Sequence, residues 1–153
     1  MNNFIYDAPF GPLYIETDKS HITKISFSDQ GENGTTPQPT DLAKKLFNQL
    51  DQYFKGTLKK FDLPLKLSGT PFQKNVWDAL TQIPYGQTQS YKDVAQQINN
   101  VKAVRAVGGA NNKNPISIVI PCHRVIGITG KLVGFGGGLD TKSWLLNHEN
   151  KHV

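Results

Sequence analysis

Cysteine is nearly missing from this chain: Cys122 is the one thiol among 153 residues. A single cysteine excludes an internal disulfide and any zinc site built from several thiolates, and it fits a reducing compartment. Long apolar runs are missing too. No stretch could span a bilayer, and the start, Met1-Asn2-Asn3-Phe4-Ile5-Tyr6-Asp7, has neither the basic nor the apolar segment of a secretory leader. The expectation is an intracellular, cytoplasmic protein with no membrane partner. Nucleotide-loop chemistry is also unsupported. Gly134-Phe135-Gly136-Gly137-Gly138 is glycine-rich, but the Lys-Ser/Thr of a phosphate loop does not follow it, and no clear strand leads into a dinucleotide turn. Neither a cofactor nor a metal is expected.

Net charge is absent from the first part of the chain. Residues 1–67 carry eight Lys and eight Asp/Glu, whereas residues 68–153 carry nine Lys/Arg and four Asp/Glu, so the whole excess of +5 lies in the second part. A basic part beside a neutral one points to a polyanion, nucleic acid first. A merely solvated basic surface is the plainer alternative.

What is present divides the same way. Phe4-Ile5-Tyr6, Leu13-Tyr14-Ile15 and Ile22-Thr23-Lys24-Ile25-Ser26-Phe27 alternate in short runs between turn-forming residues, which predicts antiparallel strands. Residues 31–39 form a loop by composition. From Asp41 the spacing turns helical, with Leu42, Leu46, Leu50 and Phe54 recurring until Gly56. A small sheet with one helix over residues 1–67 follows, and the boundary falls near Leu67-Ser68-Gly69. In residues 68–153, Thr70 as N-cap and Pro71 at the first position open a helix with Phe72, Val76, Trp77 and Leu80 on its apolar face. Ser90 and Asp93 have capping-box spacing and open a second helix, Asn99-Asn100 make a turn, and a third helix is predicted from Lys102 through Ala110. Asp140 is expected to cap a last helix carrying Trp144, Leu145 and His148. The fold class is α+β, and the two short helices around a tight turn suggest a helix-turn-helix.

The third helix has an odd composition for reading the major groove. Ala103-Val104-Arg105-Ala106-Val107-Gly108-Gly109-Ala110 offers one charged side chain among small residues. Small residues permit close backbone approach, which suits a minor groove read by shape and by an inserted side chain. Simple helix packing by alanine and glycine is the competing explanation.

Ile118-Val119-Ile120 reads as a buried strand that delivers Cys122 to a break at Pro121, with His123 and Arg124 next. A lone cysteine is usually a small buried hydrophobe. Adjacent positive charge and a proton acceptor mark a nucleophile instead, because the thiolate is the reactive form.

Taken together, Ile120-Pro121-Cys122-His123-Arg124-Val125, Arg105-Ala106-Val107-Gly108-Gly109-Ala110, Asn114-Pro115, Pro84-Tyr85-Gly86 with Ser90-Tyr91, and Gly137-Gly138-Leu139 followed by Trp144-Leu145-Leu146 and Glu149 resemble one family. It is that of the O6-alkylguanine-DNA alkyltransferases, or methylated-DNA–protein-cysteine methyltransferases. The resemblance runs from about Gly69 to Glu149, while residues 1–67 match the family's variable N-terminal domain only in general character. It implies a winged, helix-turn-helix-like C-terminal domain and single-turnover transfer of an alkyl group from O6-alkylguanine, and from O4-alkylthymine, to Cys122. It also implies that His123 accepts the thiol proton through a water, that Glu149 orients His123, and that Tyr91 helps protonate the leaving guanine. Asn114 is implied to bridge the helix-turn-helix to the active-site turn. The implied partner is double-stranded DNA bound through its minor groove by Arg105, Ala106, Gly108 and Gly109, with Arg105 holding the space of a flipped O6-alkylguanine. Arg124 is expected to anchor the site from beneath, and the protein is expected to be a monomer.

Departures from the family pattern fall in the substrate pocket. Phe135 and Gly136 stand where other members often have Tyr and Ser, and Ser117 stands where some have proline, so the accepted alkyl groups are open. The zinc site of some members' N-terminal domains has no counterpart, since residues 1–67 hold no cysteine and only His21. Competing readings are a non-enzymatic alkyltransferase-like lesion binder, a helix-turn-helix regulator and a cysteine hydrolase. Cys122 argues against the first, and neither of the others explains both the small-residue helix and the cysteine run.

Overall fold

In the computed structural model, which describes residues 1–28, 34–127, 130 and 135–153, the chain divides into two units. One comprises Met1–Leu67 with Pro115–Ser117, and the other Ser68–Asn114 with Ile118–Val153. The architecture is α+β. Among the described residues no helix is long and apolar enough to cross a membrane.

Period-two burial builds the first unit. Strands β1 (Asn2–Ala8), β2 (Gly11–Thr17) and β3 (Ile22–Ser26) form an antiparallel meander in the order β1-β2-β3. Leu13, Ile15 and Thr17 alternate inward along β2, and Phe4, Ile22 and Ile25 are buried on the neighbouring strands. The helix α1 (Asp41–Phe54) follows. Its buried stripe is Ala43, Leu46, Leu50 and Tyr53, where the sequence spacing suggested Leu42, Leu46, Leu50 and Phe54. A strict four-residue repeat advances about 40° per step around a helix of 3.6 residues per turn, so its two ends leave the face that its middle occupies. Two short segments cover the outer edge of β3. Ile22 N–H donates to Pro64 O at 2.8 Å and Lys66 N–H to Ile22 O at 3.0 Å, while Ile25 N–H donates to Pro115 O at 3.0 Å and Ser117 N–H to Ile25 O at 3.1 Å. Backbone that would otherwise invite edge pairing is thereby satisfied. Residues 31–33 of the expected loop lie outside the described residues.

The second unit begins as local chemistry dictates. At the start of α2 (Pro71–Thr81) the Thr70 hydroxyl accepts from Gln73 N–H, and Gln73 Oε1 accepts from Thr70 N–H. A two-residue strand β4 (Gln89–Ser90) leads into α3 (Tyr91–Gln97), which opens with the second capping box, Ser90 and Asp93. Asn99 turns the chain at φ 58°, a left-handed conformation that asparagine tolerates. The next helix, α4, spans Val104–Asn112, later than the Lys102 start read from the sequence, because Ala103 at φ −94° and ψ 24° is not yet helical and occupies the N-cap position. Trp77 ties α2 to α4, its indole N–H donating to Ala110 O at 2.9 Å. After a 3₁₀ turn at Cys122–Arg124, strand β5 (Val125–Ile126) pairs in parallel with β4, and α5 (Leu139–Lys151) closes the unit. Gly138, at φ 87°, occupies the N-cap position of α5, so Asp140 lies inside the first turn and is not the cap. The core gathers Val76, Trp77, Leu80, Ile83, Val94, Ala95, Val107 and Leu145. By sequence Ile126-Gly127-Ile128-Thr129-Gly130 can form a hairpin, but Ile128 and Thr129 lie outside the described residues, as does Gly134 of the glycine run.

Thr70 supplies half of the first capping box, so Thr70→Ala is expected to lower the unfolding free energy by about 1 kcal/mol. Urea titration of both proteins measures the difference.

Candidate active site

A proline and a left-handed isoleucine shape the approach to Cys122. Ile118–Ile120 does not continue as the strand the sequence suggested, because Ile118 turns the chain at φ 74°. A β-branched residue in that region costs on the order of 1–3 kcal/mol, and here its side chain is buried to 1% exposure. Pro121, at φ −82° and ψ 66°, then makes an inverse γ-turn in which Cys122 N–H donates to Ile120 O at 2.8 Å. The Asn114 side chain steadies this bend by donating from Nδ2 to Ile120 O at 2.8 Å. That contact links the segment after α4 to the turn that carries Cys122.

Beyond the bend, the tight turn sends consecutive side chains in different directions. Cys122, His123 and Arg124 are all buried. His123 and Arg124 converge on one carboxylate, Glu149 of α5, which is 1% exposed. The His123 Nε2–Glu149 Oε2 distance is 2.6 Å, Arg124 Nε donates to Oε1 at 2.8 Å and Nη2 to Oε2 at 3.1 Å. Gly86 N–H adds a bond to Oε1 at 3.3 Å. The remaining guanidinium arm donates to Ile83 O at 2.8 Å, and the Tyr85 ring lies 5.6 Å from the guanidinium carbon.

The charge states follow from this arrangement. Burial pushes the Glu149 carboxyl up, but its hydrogen bonds and charge contacts with His123 and Arg124 outweigh burial and hold it well below the usual carboxylate range. Burial pushes His123 down, against the pull of Glu149, and Arg124 and Lys142 push it the same way. A neutral imidazole beside an ionised carboxylate must place its proton on Nε2, so Nδ1 carries the free lone pair. Nδ1 is buried and has no hydrogen-bond partner among the described residues. The site therefore holds an oriented, unused base next in sequence to the thiol.

Two further polar groups are close enough to Cys122 to feel its charge. The Tyr91 phenol, at the start of α3, is raised by burial and raised further by its proximity to Cys122. Lys142 of α5 is fully buried, with Nζ donating to Val125 O at 2.6 Å and lying 5.9 Å from the Phe135 ring centre. Burial lowers its affinity for a proton and the neighbouring Cys122 raises it.

Cys122, His123, Glu149, Asn114 and Tyr91 thus come together in the second unit. On α4, Arg105, Ala106 and Gly109 are exposed, while Gly108 lies against the Tyr91 ring, 3.9 Å from where a Cβ would be. Phe135 is half-buried and Gly136 exposed with open space around it. Ser117 belongs to the first unit, where its backbone N–H donates to Ile25 O. Sequence reasoning missed Lys142 and the sharing of Glu149 by Arg124. One signal was available: Lys142, Leu145 and Glu149 are spaced three and four apart, which places both charges on the buried face of α5 that Leu145 defines.

Known proteins carry the same two parts. A family model described as 6-O-methylguanine DNA methyltransferase, DNA binding domain, matches residues 71–151, and one described as 6-O-methylguanine DNA methyltransferase, ribonuclease-like domain, matches residues 3–67. A methylated-DNA–protein-cysteine methyltransferase of Methanosarcina acetivorans is 44% identical over 149 residues, covering 95% of this chain and 96% of its own. One of Mycolicibacterium paratuberculosis is 47% identical over 150 residues, covering 95% and 90%. The crystal structure of Mycobacterium tuberculosis OGT in complex with DNA superposes with a TM-score of 0.92 at 44% identity, over 100% of this chain and 95% of that one.

Both buried titrating groups tie stability to pH in the same direction. His123 binds protons less readily folded than at its ordinary 6.5, and Glu149 less readily than at its ordinary 4.5. Each contribution is complete above the ordinary value and is lost as pH falls through the folded one. The urea midpoint is expected to fall on acidification below pH 6.5 and to fall further below pH 4.5. A midpoint that rises over either interval contradicts the assigned charge states.

Proposed function

The chain belongs to the methylated-DNA–protein-cysteine methyltransferase family, and on that footing we propose that it repairs DNA by taking the alkyl group of O6-alkylguanine, and of O4-alkylthymine, onto Cys122. The observation that carries this reading is the orphaned His123 Nδ1 behind the chain's single thiol, held in its acceptor form by the 2.6 Å bond from Nε2 to Glu149.

The steps balance on these residues. The Cys122 thiol gives its proton, through a bridging water, to His123 Nδ1, and Glu149 stabilises the imidazolium that results. The sulfur anion then attacks the alkyl carbon. An S–C bond forms, the C–O6 bond breaks, and its electron pair enters the guanine ring, which takes a proton at N3 from the Tyr91 phenol. Return of the proton from imidazolium to phenolate, and the shift of the guanine proton from N3 to N1, leave unmodified guanine and an S-alkyl cysteine. Burial and the raised proton affinity of Tyr91 keep the phenol protonated until the guanine demands it. The Lys142 ammonium beside Cys122 favours the thiolate over the thiol. A thioether has no easy leaving route, so each molecule acts once.

Access to the base requires flipping. The alkylated oxygen is out of reach inside a duplex, so the nucleotide must be extruded, and Arg105 on the exposed face of α4 enters the stack in its place. Ala106 and Gly109 present little side chain on that face and allow the helix to approach the minor groove closely. The protein is read as acting as a monomer. A thiol that must stay reduced to act suits the cytoplasm.

Incubation with a duplex containing O6-methylguanine is expected to add one methyl mass to the peptide bearing Cys122, with no more than one equivalent repaired per protein. Cys122→Ala should bind the duplex and transfer nothing. An unmodified peptide after full exposure, or turnover beyond one equivalent, defeats the proposal. Arg105→Ala is expected to slow repair in duplex far more than reaction with the free modified base. Equal losses on the two substrates would remove the flipping role.

A further inference from the structure

The solvent face of α4 carries more than Arg105. Arg105, Ala106, Gly109, Asn112 and the C-cap residue Lys113 are all exposed, while Val107, Ala110 and Asn111 are buried. At 100° per residue these five positions fall within about 120° of the helix circumference, so they form one continuous face. No acidic residue lies on it. Among the described residues neither Arg105 nor Lys113 enters an ion pair. Two cations therefore mark the two ends of a face whose middle is nearly free of side chains.

The dimensions decide what the far cation meets. Lys113 lies eight residues beyond Arg105, about 12 Å along the helix axis and about 80° around it. The minor groove is about 6 Å wide, half that distance, and each strand beside it carries a phosphate about every 3.4 Å. With Arg105 at the groove floor and α4 crossing the groove, a group about 12 Å farther along the same face lies past the groove and over the sugar–phosphate backbone. A lysine there is a flexible point charge with no base edge to read.

We propose that Lys113 is a phosphate-binding residue that sets the position of α4 on duplex DNA, acting with Arg105 and not on the lesion. The inference rests on the DNA-binding part of the proposed function and adds a residue that carries affinity without sequence or damage discrimination.

Lys113→Gln tests it through salt dependence. The slope of log K against log salt should be shallower than that of the unaltered protein by about 0.9, so the binding penalty at about 50 mM salt is roughly 3.5 times that at about 200 mM. The penalty should be the same on duplex with and without O6-methylguanine, and Lys113→Arg should restore the slope. Lys44→Gln, an equal charge change on the exposed side of α1, should leave the slope unaltered. An unchanged slope in Lys113→Gln, or an equal drop in Lys44→Gln, overturns the proposal. These outcomes are independent of the thioether. A protein that binds with the stated slopes but gains no methyl mass would retain this inference and lose the transfer reaction, and one that is methylated with slopes unchanged would do the reverse.

Discussion

One buried carboxylate organises the second unit. Glu149 accepts from His123 Nε2, from two nitrogens of Arg124 and from Gly86 N–H. Those donors match the roughly four lone-pair sites a carboxylate offers. A carboxylate this deeply buried is tolerable only when paired, and removal of one partner from such a pair typically costs about 3–5 kcal/mol. Here the guanidinium balances the charge, and that leaves the imidazole neutral. If His123 had to neutralise Glu149 alone, it would be protonated and could not accept from a thiol. In the proposed transfer Arg124 would therefore act without touching a reacting atom.

The same carboxylate joins distant parts of the chain. The Gly86 bond fixes the turn after α2, the His123 and Arg124 bonds fix the 3₁₀ turn, and α5 supplies the acceptor. Arg124 also reaches Ile83 O in the same turn region. The surroundings of Cys122 are consequently held by polar bonds of long sequence separation, while apolar contacts such as Val76, Leu80 and Leu145 provide the bulk around them. Low local dielectric strengthens each of those bonds and makes each loss expensive, which suits a site that has to be correct before its only reaction.

The sequence was most informative where structure is local. Thr70 with Gln73 and Ser90 with Asp93 cap their helices because the bonds involved span three residues. The alternation of Leu13 and Ile15 and the isolated thiol beside an imidazole were equally plain. Contacts that depend on the chain returning from far away were not. Nothing near Glu149 signals His123, 26 residues earlier; only the family resemblance joined them. Ile118 was misread because a β-branched residue argues for a strand, and its left-handed backbone is sustained by surroundings that composition does not encode. Lys142 drew no notice because burial of an ammonium is rare enough that composition gives no reason to expect it.

Pro115–Ser117 has a consequence for anyone dividing this molecule. The three residues belong to the first unit, completing the outer edge of β3 at Ile25, although they are encoded well inside the second half of the chain. A gene cut after Leu67 would yield an N-terminal fragment whose third strand shows bare amide and carbonyl groups at Ile25, a template for intermolecular stacking into insoluble material. A circular permutant or split protein that keeps residues 115–117 attached to the sheet avoids that fate, so the chain has to be engineered as an interleaved whole, not as two beads on a string.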